Sequence, residues 1–334
     1  MKIVVPMAGM GKRLRPHTLT TAKPLLPIAG KPIVQRLVED IVAVSQQSVD
    51  EVAYVVGRFG SEVEEHLVHV AESFGAKGTI HYQDEALGTA HAILCAQSAL
   101  QGPVTVAFAD TLFRADFTLD TSKDGVLWVQ KIADPTQFGV VILNEAGVIT
   151  EFKEKPQEFV SDLAMIGIYY FLKGEQLRDE LQFLIDNNIK NQGEYQLPDA
   201  LRNMVKKGAQ FVPGAVTDWM DCGNKEAMVE TNTKYLQHCT EKNLMSKTVV
   251  LENASIIAPC YIGENVVLRN SVVGPCVSIG DGSVVENSVM QHSIVLHQSH
   301  ISSANISHSM IGNNTRYKGH ARSLSLGAFS NVTD

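Results

Sequence analysis

The stretch MKIVVPMAGMGKRLRPHTLTTAKPLLPIAGKP, residues 1–32, joins an apolar strand to a glycine turn that is rich in basic residues. Glycine lets the backbone turn tightly and approach a ligand, and successive N–H groups can then point at one anion. The basic side chains in and after the turn add full positive charge. The turn therefore predicts a phosphate site, whose candidate ligands are Ala8, Gly9, Gly11, Lys12, Arg13 and Lys23.

Residues 1 to about 240 alternate apolar strands with helical patterns, which predicts an α/β domain with a mostly parallel sheet. Ligands of such Rossmann-like sheets bind at the carboxyl ends of the strands. The predicted strands are Ile3–Pro6, Glu51–Val56, Thr79–Tyr82, Val104–Ala109, Gly125–Val129 and Val140–Leu143. The predicted helices are Val34–Val44, Ser61–Phe74 and Thr89–Ala99, with a helical connector at Met228–Asn243.

From residue 245 to 334 the pattern changes, and we expect a second domain there. Apolar residues recur in steps of mostly five or six from Leu251 to Ile311, with small residues and asparagines between them. This period predicts a short parallel β-helix of hexapeptide repeats, with three or four coils between about 250 and 316. We expect the β-helix to form a homo-oligomer, and the tail Tyr317–Asp334 to break the repeat as a cap or a partner arm.

Composition describes an ordinary globular protein: 45% of the 334 residues are hydrophobic and 19% are charged. The net charge of −8 argues against broad binding to nucleic acid or anionic membranes. No apolar run approaches a membrane span, and the chain is expected to be cytoplasmic. The five cysteines have no Cys-x-x-Cys spacing, so neither zinc nor disulfides are predicted.

Further candidate residues lie near the predicted strand ends. Asp110 follows an apolar strand, and Asp221 lies in Asp218-Trp-Met-Asp221. A lone aspartate is more often a helix cap or turn residue, but carboxylates in such places also suit Mg²⁺. Gln83 can donate and accept hydrogen bonds, which suits the imide edge of uracil or thymine. Gly88 and Thr89 also predict the N-cap of a helix, on which His91 is expected to pack or to face solvent.

A Gly-x-Gly turn alone is weak, and this one matches neither the dinucleotide fingerprint nor the Walker loop. The longer pattern, however, resembles the sugar-1-phosphate nucleotidylyltransferases, which pair Gly-x-Gly-x-Arg-Leu with Lys-x-Leu-Leu-Pro. The likeness is greatest to the long thymidylyltransferases that carry a C-terminal left-handed β-helix. It implies that a sugar 1-phosphate attacks the α-phosphate of a nucleoside triphosphate and releases pyrophosphate.

The resemblance also implies roles for individual residues. Arg13, Lys23 and Asp110 would be catalytic, and Asp110 with Asp221 would bind Mg²⁺. The nucleobase would lie against Gln83, Gly88 and Thr89. The residues implied to bind the sugar phosphate are Gly139, Glu154, Lys155, Met165, Tyr169 and Glu194.

Three positions depart from the family pattern. Ala109 replaces the glycine before Asp110, and Lys12 replaces a threonine. Gln192 replaces an arginine that is found in some thymidylyltransferases. Lys12 is equally compatible with a phosphate contact and with a solvent-exposed position. The favoured substrates are dTTP or UTP with glucose 1-phosphate. A catalytically silent scaffold and an acyltransferase activity in the β-helix remain as alternatives.

Overall fold

The computed structural model describes residues 1–239 and 244–320. The chain forms two compact units: Met1–Leu26 with Lys31–Asn224, and Pro27–Gly30 with the residues from Lys225 onward. The segment Pro27–Gly30 thus belongs to the second unit, although it lies inside the opening stretch of the sequence. In the described ranges, no helix has both the length and the apolar character that crossing a membrane requires.

The elements of the first 238 residues follow the predicted alternation. The strands are β1 (Lys2–Pro6), β2 (Pro27–Ile28), β3 (Lys31–Pro32), β4 (Glu51–Val56), β5 (Lys77–Tyr82), β6 (Val104–Ala107), β7 (Thr111–Arg114), β8 (Gly125–Lys131), β9 (Gly139–Leu143), β10 (Ile149–Glu154), β11 (Leu163–Phe171), β12 (Phe211–Ala215) and β13 (Asp218–Asp221). The helices are α1 (Ile33–Ser45), α2 (Ser61–Glu72), α3 (Thr89–Cys95), α4 (Gly174–Asp186), α5 (Leu197–Lys206) and α6 (Lys225–His238). All the predicted strands and helices are therefore present, with ends shifted by a few residues, except that the predicted end of the connector, at Asn243, lies outside the described residues.

The sheet of the first unit has a parallel part and an antiparallel part. Strands β6, β1, β4 and β5 are neighbours in that order, and their pairings are parallel. Strand β11 pairs antiparallel with β6, β8 and β9, and β12 pairs parallel with β8. The opening loop, residues 7–26, and the turn after β6 consequently follow the carboxyl ends of neighbouring parallel strands.

Both faces of the central parallel strands β1, β4 and β6 are buried, which explains their largely apolar sequences. In β1, Ile3, Val4 and Val5 are all inaccessible to solvent, although consecutive strand residues point to opposite faces. Helices α3, α4 and α5 contribute their apolar side chains to a single core with the strands. A sheet covered on both faces leaves its strand ends as the accessible place for a ligand.

The second unit contains three parallel sheets that wind as a β-helix. Its strands are β14 (Val250–Glu252), β15 (Ser255–Ile256), β16 (Cys260–Ile262), β17 (Val267–Arg269), β18 (Val272–Val273), β19 (Val277–Ile279), β20 (Val284–Glu286), β21 (Val289–Gln291), β22 (Ser293–Val295), β23 (His300–Ser302), β24 (Asn305–Ser307), β25 (Met310–Ile311) and β26 (Arg316–Lys318). The sheets have five, four and four strands. From β17 onward, each strand pairs with the strand three places before it, which lies one coil earlier. The predicted repeat architecture is confirmed.

Inward-facing apolar residues stack from coil to coil. Leu268, Val285 and Ile301 lie in register in one sheet and are inaccessible to solvent. Asparagines occupy left-handed corners, a conformation that Asn tolerates better than most residues, and Asn253 donates to Asn270 at 2.9 Å. Tyr317 pairs in register with Ile301, so the prediction that the repeat breaks there was wrong. The rest of the predicted tail, residues 321–334, lies outside the described residues.

Replacing Gly274 by alanine should destabilise the second unit strongly. Gly274 has φ +112°, and an added Cβ would lie 1.9 Å from the carbonyl oxygen of Ile257. Strain and overpacking of this kind cost about 2–4 kcal/mol together. In the control, Gly282→Ala, φ is +67° and the nearest atom lies 3.5 Å away, so about 1 kcal/mol is expected. Urea unfolding followed by circular dichroism compares the variants, and equal losses would contradict the packing described.

Candidate active site

The opening loop folds back so that Lys23 lies beside the glycine turn. Gly11 has φ +57°, and a Cβ at this position would lie 3.0 Å from the Cβ of Lys23. The hydroxyl of Thr18 donates to the carbonyl oxygen of Gly11 at 2.8 Å and holds the turn closed. Lys12 and Arg13 are exposed on the short helical segment Lys12–Leu14. The glycine is required here by both backbone conformation and close packing.

Asp110 and Asp221 are brought together by the pairing of β7 with β13. Asp110 occupies the turn just before β7, and Asp221, the last residue of β13, lies opposite Thr111. The N–H of Cys222 donates to the carbonyl oxygen of Asp110 at 2.9 Å, which ties the two turns together. Two carboxylates far apart in sequence therefore share one site.

Positive groups surround this pair of carboxylates. The ammonium group of Lys23, whose side chain is 11% exposed, lies 3.1 Å from Oδ2 of Asp110. A Cβ on Gly223 would lie 3.0 Å from both carboxylate oxygens of Asp221 and 3.1 Å from Nη2 of Arg13. Burial raises the pKa of Asp221, and the charge of Asp110 raises it further, whereas Lys23 and Arg13 lower it. Such a pair of neighbouring carboxylates favours the binding of an additional cation.

The loop after β5 packs against the segment that leads into α5. A Cβ on Gly88, where φ is +112°, would lie 2.4 Å from the carbonyl oxygen of Tyr195. The hydroxyl of Thr89 accepts the N–H of Leu197 at 2.9 Å and donates to Gln196 at 3.1 Å. The N-cap of α3 is Gly88, within the predicted pair, but no side chain caps the helix, because the Thr89 hydroxyl bonds the distant segment instead.

A first cavity of about 260 Å³ lies at the carboxyl ends of the parallel strands. It contains most of the residues expected around a nucleotide, and Glu194, which had been expected on the sugar side, lines it as well. The predicted residues that line it are Ala8, Gly9, Lys23, Gln83, Gly88, Thr89, Asp110 and Glu194. Gly11, Lys12 and Arg13 lie in the opening loop without lining this cavity.

A second cavity of about 340 Å³ adjoins the first. The predicted sugar-side residues that line it are Gly139, Glu154, Met165 and Tyr169, together with both aspartates. Burial raises the pKa of the Tyr169 hydroxyl, and the charges of Glu154 and Asp110 add to this, so the group stays protonated. Thr89, Phe108 and Asp110 line both cavities. The two cavities therefore meet at the Asp110 carboxylate.

Lys155 lies in a third cavity, which shares Glu154 and Gln196 with the second. Gln192 and Arg202 line this third cavity too. The guanidinium of Arg202 donates to the carbonyl oxygen of Phe152 at 3.2 Å and pairs with Asp199. Arg202 thus brings a positive charge to the cavity in which Gln192 replaces a family arginine.

Sequence reasoning missed the aromatic wall of the second cavity. The rings of Phe138 and Trp219 meet edge to face at 4.9 Å between centroids, and both side chains line the cavity. Among the described residues, the indole N–H of Trp219 is buried without a hydrogen-bond partner. Residues two apart in a strand share a face. The spacing of Trp219 and Asp221 in β13 could therefore have indicated that Trp219 lies on the same side as the aspartate.

The chain is similar to a family of known proteins. The model of the nucleotidyl transferase family matches residues 2–238. The chain belongs to the nucleotidyl transferase family.

Three similar proteins span most of the chain. A glucose-1-phosphate thymidylyltransferase of Streptomyces antibioticus is 30% identical and covers 95% of this chain and 93% of its own. The low-salt glycan biosynthesis nucleotidyltransferase Agl11 of Haloferax volcanii is 26% identical over 93% of this chain and 92% of its own. A crystal structure of UDP-glucose pyrophosphorylase complexed with UDP-glucose has a TM-score of 0.57 and 25% identity, and covers 71% of this chain and 99% of its own.

Proposed function

We propose that this chain joins a sugar 1-phosphate to a nucleoside monophosphate unit taken from a nucleoside triphosphate. An oxygen of the sugar phosphate attacks the α-phosphorus, and the bond from that phosphorus to the β-phosphate oxygen breaks. The products are a nucleoside diphosphate sugar and pyrophosphate. The similar proteins include a glucose-1-phosphate thymidylyltransferase and a UDP-glucose pyrophosphorylase, which are enzymes of this kind and support the proposal.

The observation that carries the proposal is the junction of the two cavities at Asp110. The first cavity lies against the opening loop and Gln83, and the second lies against Glu154, Tyr169 and Trp219. Two substrates that bind in these cavities would bring their phosphates together at the junction. Orientation and charge neutralisation are the main requirements of this reaction, because two anionic phosphates must approach each other.

Lys23 and Arg13 supply positive charge at the junction. Lys23 lines the first cavity, where its ammonium group would face the α-phosphate once substrate separates it from Asp110. Arg13 lies beside Asp221 and would hold the triphosphate. Lys155 and Arg202, in the adjoining third cavity, would bind the phosphate of the sugar.

The carboxylates of Asp110 and Asp221 fit a divalent cation such as Mg²⁺. Enzymes of this class generally use a divalent metal, which supplies neutralisation of the phosphate charge when bound. Mg²⁺ is typically held by one or two carboxylates, with substrate phosphates and water completing its ligands.

The favoured substrates are dTTP or UTP with glucose 1-phosphate. Gln83 lines the first cavity, and its amide can pair with the imide edge that uracil and thymine share. The amide therefore does not distinguish these two bases. Pyrophosphate release with dTTP, UTP, GTP, CTP and ATP, each with glucose, N-acetylglucosamine and mannose 1-phosphates, tests the proposal. Release above background with one pair supports it, and no release with any pair would revive the silent scaffold.

Replacing Trp219 by leucine should weaken sugar phosphate binding selectively. The indole forms a wall of the second cavity. Loss of this apolar surface should raise the KM for the sugar phosphate about tenfold. The KM for the nucleotide should change less than about twofold, since Trp219 does not line the first cavity. Equal increases in both KM values would contradict this assignment.

The histidines of the β-helix have structural contacts, which disfavours the acyltransferase alternative. Nδ1 of His297 accepts the N–H of Asp281 at 3.1 Å, and Nε2 of His300 lies 3.1 Å from Glu286. The rings of His292 and His308 stack at 5.2 Å between centroids. Each histidine is thus engaged with a neighbouring coil.

A further inference from the structure

The amide of Gln83 has a defined orientation in the first cavity. Its Nε2 lies 3.3 Å from the carbonyl oxygen of Gly88 and 3.2 Å from Nδ1 of His91. A carbonyl oxygen only accepts hydrogen bonds, so the amide atom that faces Gly88 must be the NH₂ group. Both amide hydrogens then have acceptors. The carbonyl oxygen, Oε1, is the group that Gln83 can offer to a ligand.

His91 completes this arrangement from α3. To accept a hydrogen bond from Gln83, Nδ1 of His91 must carry no proton, which requires the neutral ring with its proton on Nε2. A proton on Nδ1 would place two donors 3.2 Å apart. Gly88 fixes one amide hydrogen of Gln83, and His91 fixes the other. His91 itself does not line the cavity.

The orientation has a consequence for nucleobase choice. Uracil and thymine carry a hydrogen on N3, which the carbonyl oxygen of Gln83 can accept. Cytosine has a lone pair on N3, and two acceptors that face each other leave both unpaired, which costs more than a missing hydrogen bond. If the amide were free to rotate, its NH₂ group could pair with cytosine instead.

We propose that His91 is a positioning residue that holds the Gln83 amide with its carbonyl oxygen toward the base, so that the site selects uracil or thymine over cytosine. This inference rests on the proposed function, because it places the base in the first cavity. His91, which the sequence predicts to pack or to face solvent, thereby has a role in specificity. His91 acts through Gln83 and has no part in the chemical step.

The test compares His91→Leu, which removes the acceptor, with His91→Gln, which restores one. Values of kcat and KM are measured for UTP, dTTP and CTP with one sugar phosphate. His91→Leu should raise the KM for UTP and dTTP about tenfold, leave kcat within about threefold, and lower the UTP-to-CTP ratio of kcat/KM about tenfold. His91→Gln should recover most of that ratio. His66→Leu, an exposed histidine on α2, is the matched control and should behave as the wild type.

In the kinetic assay, an unchanged UTP-to-CTP ratio of kcat/KM in His91→Leu would overturn the inference. An equal loss for all three nucleotides would overturn it as well, because it would assign His91 a purely structural role. Isothermal titration calorimetry with UTP and CTP gives a readout that does not depend on turnover. If the wild type turns over no substrate pair, the proposed function fails. Selective loss of UTP affinity in His91→Leu would still support the positioning role, and equal affinities for UTP and CTP in the wild type would refute it.

Discussion

Replacing Asp110 by asparagine should abolish pyrophosphate release while the fold remains intact. Asp110 is the carboxylate at which the two cavities meet, and it pairs with Lys23. Asparagine keeps the shape but removes the charge that would hold a divalent cation. We expect kcat to fall about 10³-fold or more, a loss of about 4 kcal/mol in transition-state stabilisation.

The matched control for this variant is Asp116→Asn, which changes an exposed aspartate near the far end of β7. It should retain the activity of the wild type. Circular dichroism and thermal unfolding establish that both variants are folded, and a coupled pyrophosphate assay at saturating Mg²⁺ measures turnover. Unchanged turnover in Asp110→Asn would refute the metal assignment.

Replacing Lys23 by methionine should lower kcat about 10²- to 10³-fold. Methionine fills similar space without charge, and the Lys23 side chain is largely buried beside Asp110, where we propose that the phosphates meet. A preorganised charge in a site that excludes water contributes about 3–4 kcal/mol to the transition state. The loss should appear mainly in kcat, because the charge on the phosphates is greatest during transfer.

Lys12→Met provides the comparison for Lys23→Met, because Lys12 is an exposed lysine of the same opening loop. If Lys12 contacts phosphate, its removal should raise the KM for the nucleotide a few-fold with kcat unchanged. If it faces solvent, neither value should change. A loss as large as that of Lys23→Met would show that general positive charge, and not the position of Lys23, accounts for the effect.

Much of the fold could be predicted from local sequence. Strand β1 is continuously apolar because both of its faces are buried, and the glycine turn after it has the expected backbone conformation at Gly11. The β-helix was predictable because inward apolar residues, such as Leu268 and Val273, recur every five or six residues, once for each strand of a coil. These features depend on near neighbours in the chain or on strict repetition.

Features that depend on long-range pairing were not predictable in the same way. The antiparallel position of β11 and the pairing of β13 with β7 join segments far apart in sequence. For the same reason the bond between Thr89 and Leu197, which joins the N-terminus of α3 to the start of α5, was not predicted. Trp219 was missed because an aromatic strand residue usually indicates a core. Only the position of β13 in the fold shows that Trp219 lines a cavity.

Isotope labelling decides the proposed reaction. The wild type is incubated with Mg²⁺, its best nucleoside triphosphate and glucose 1-phosphate that carries ¹⁸O in every phosphate oxygen, and both products are analysed by mass spectrometry. Attack by the sugar phosphate on the α-phosphorus predicts equimolar products, with all of the label in the nucleotide sugar and none in pyrophosphate. Label in pyrophosphate, release of inorganic phosphate alone, or no nucleotide sugar would contradict the proposed transfer.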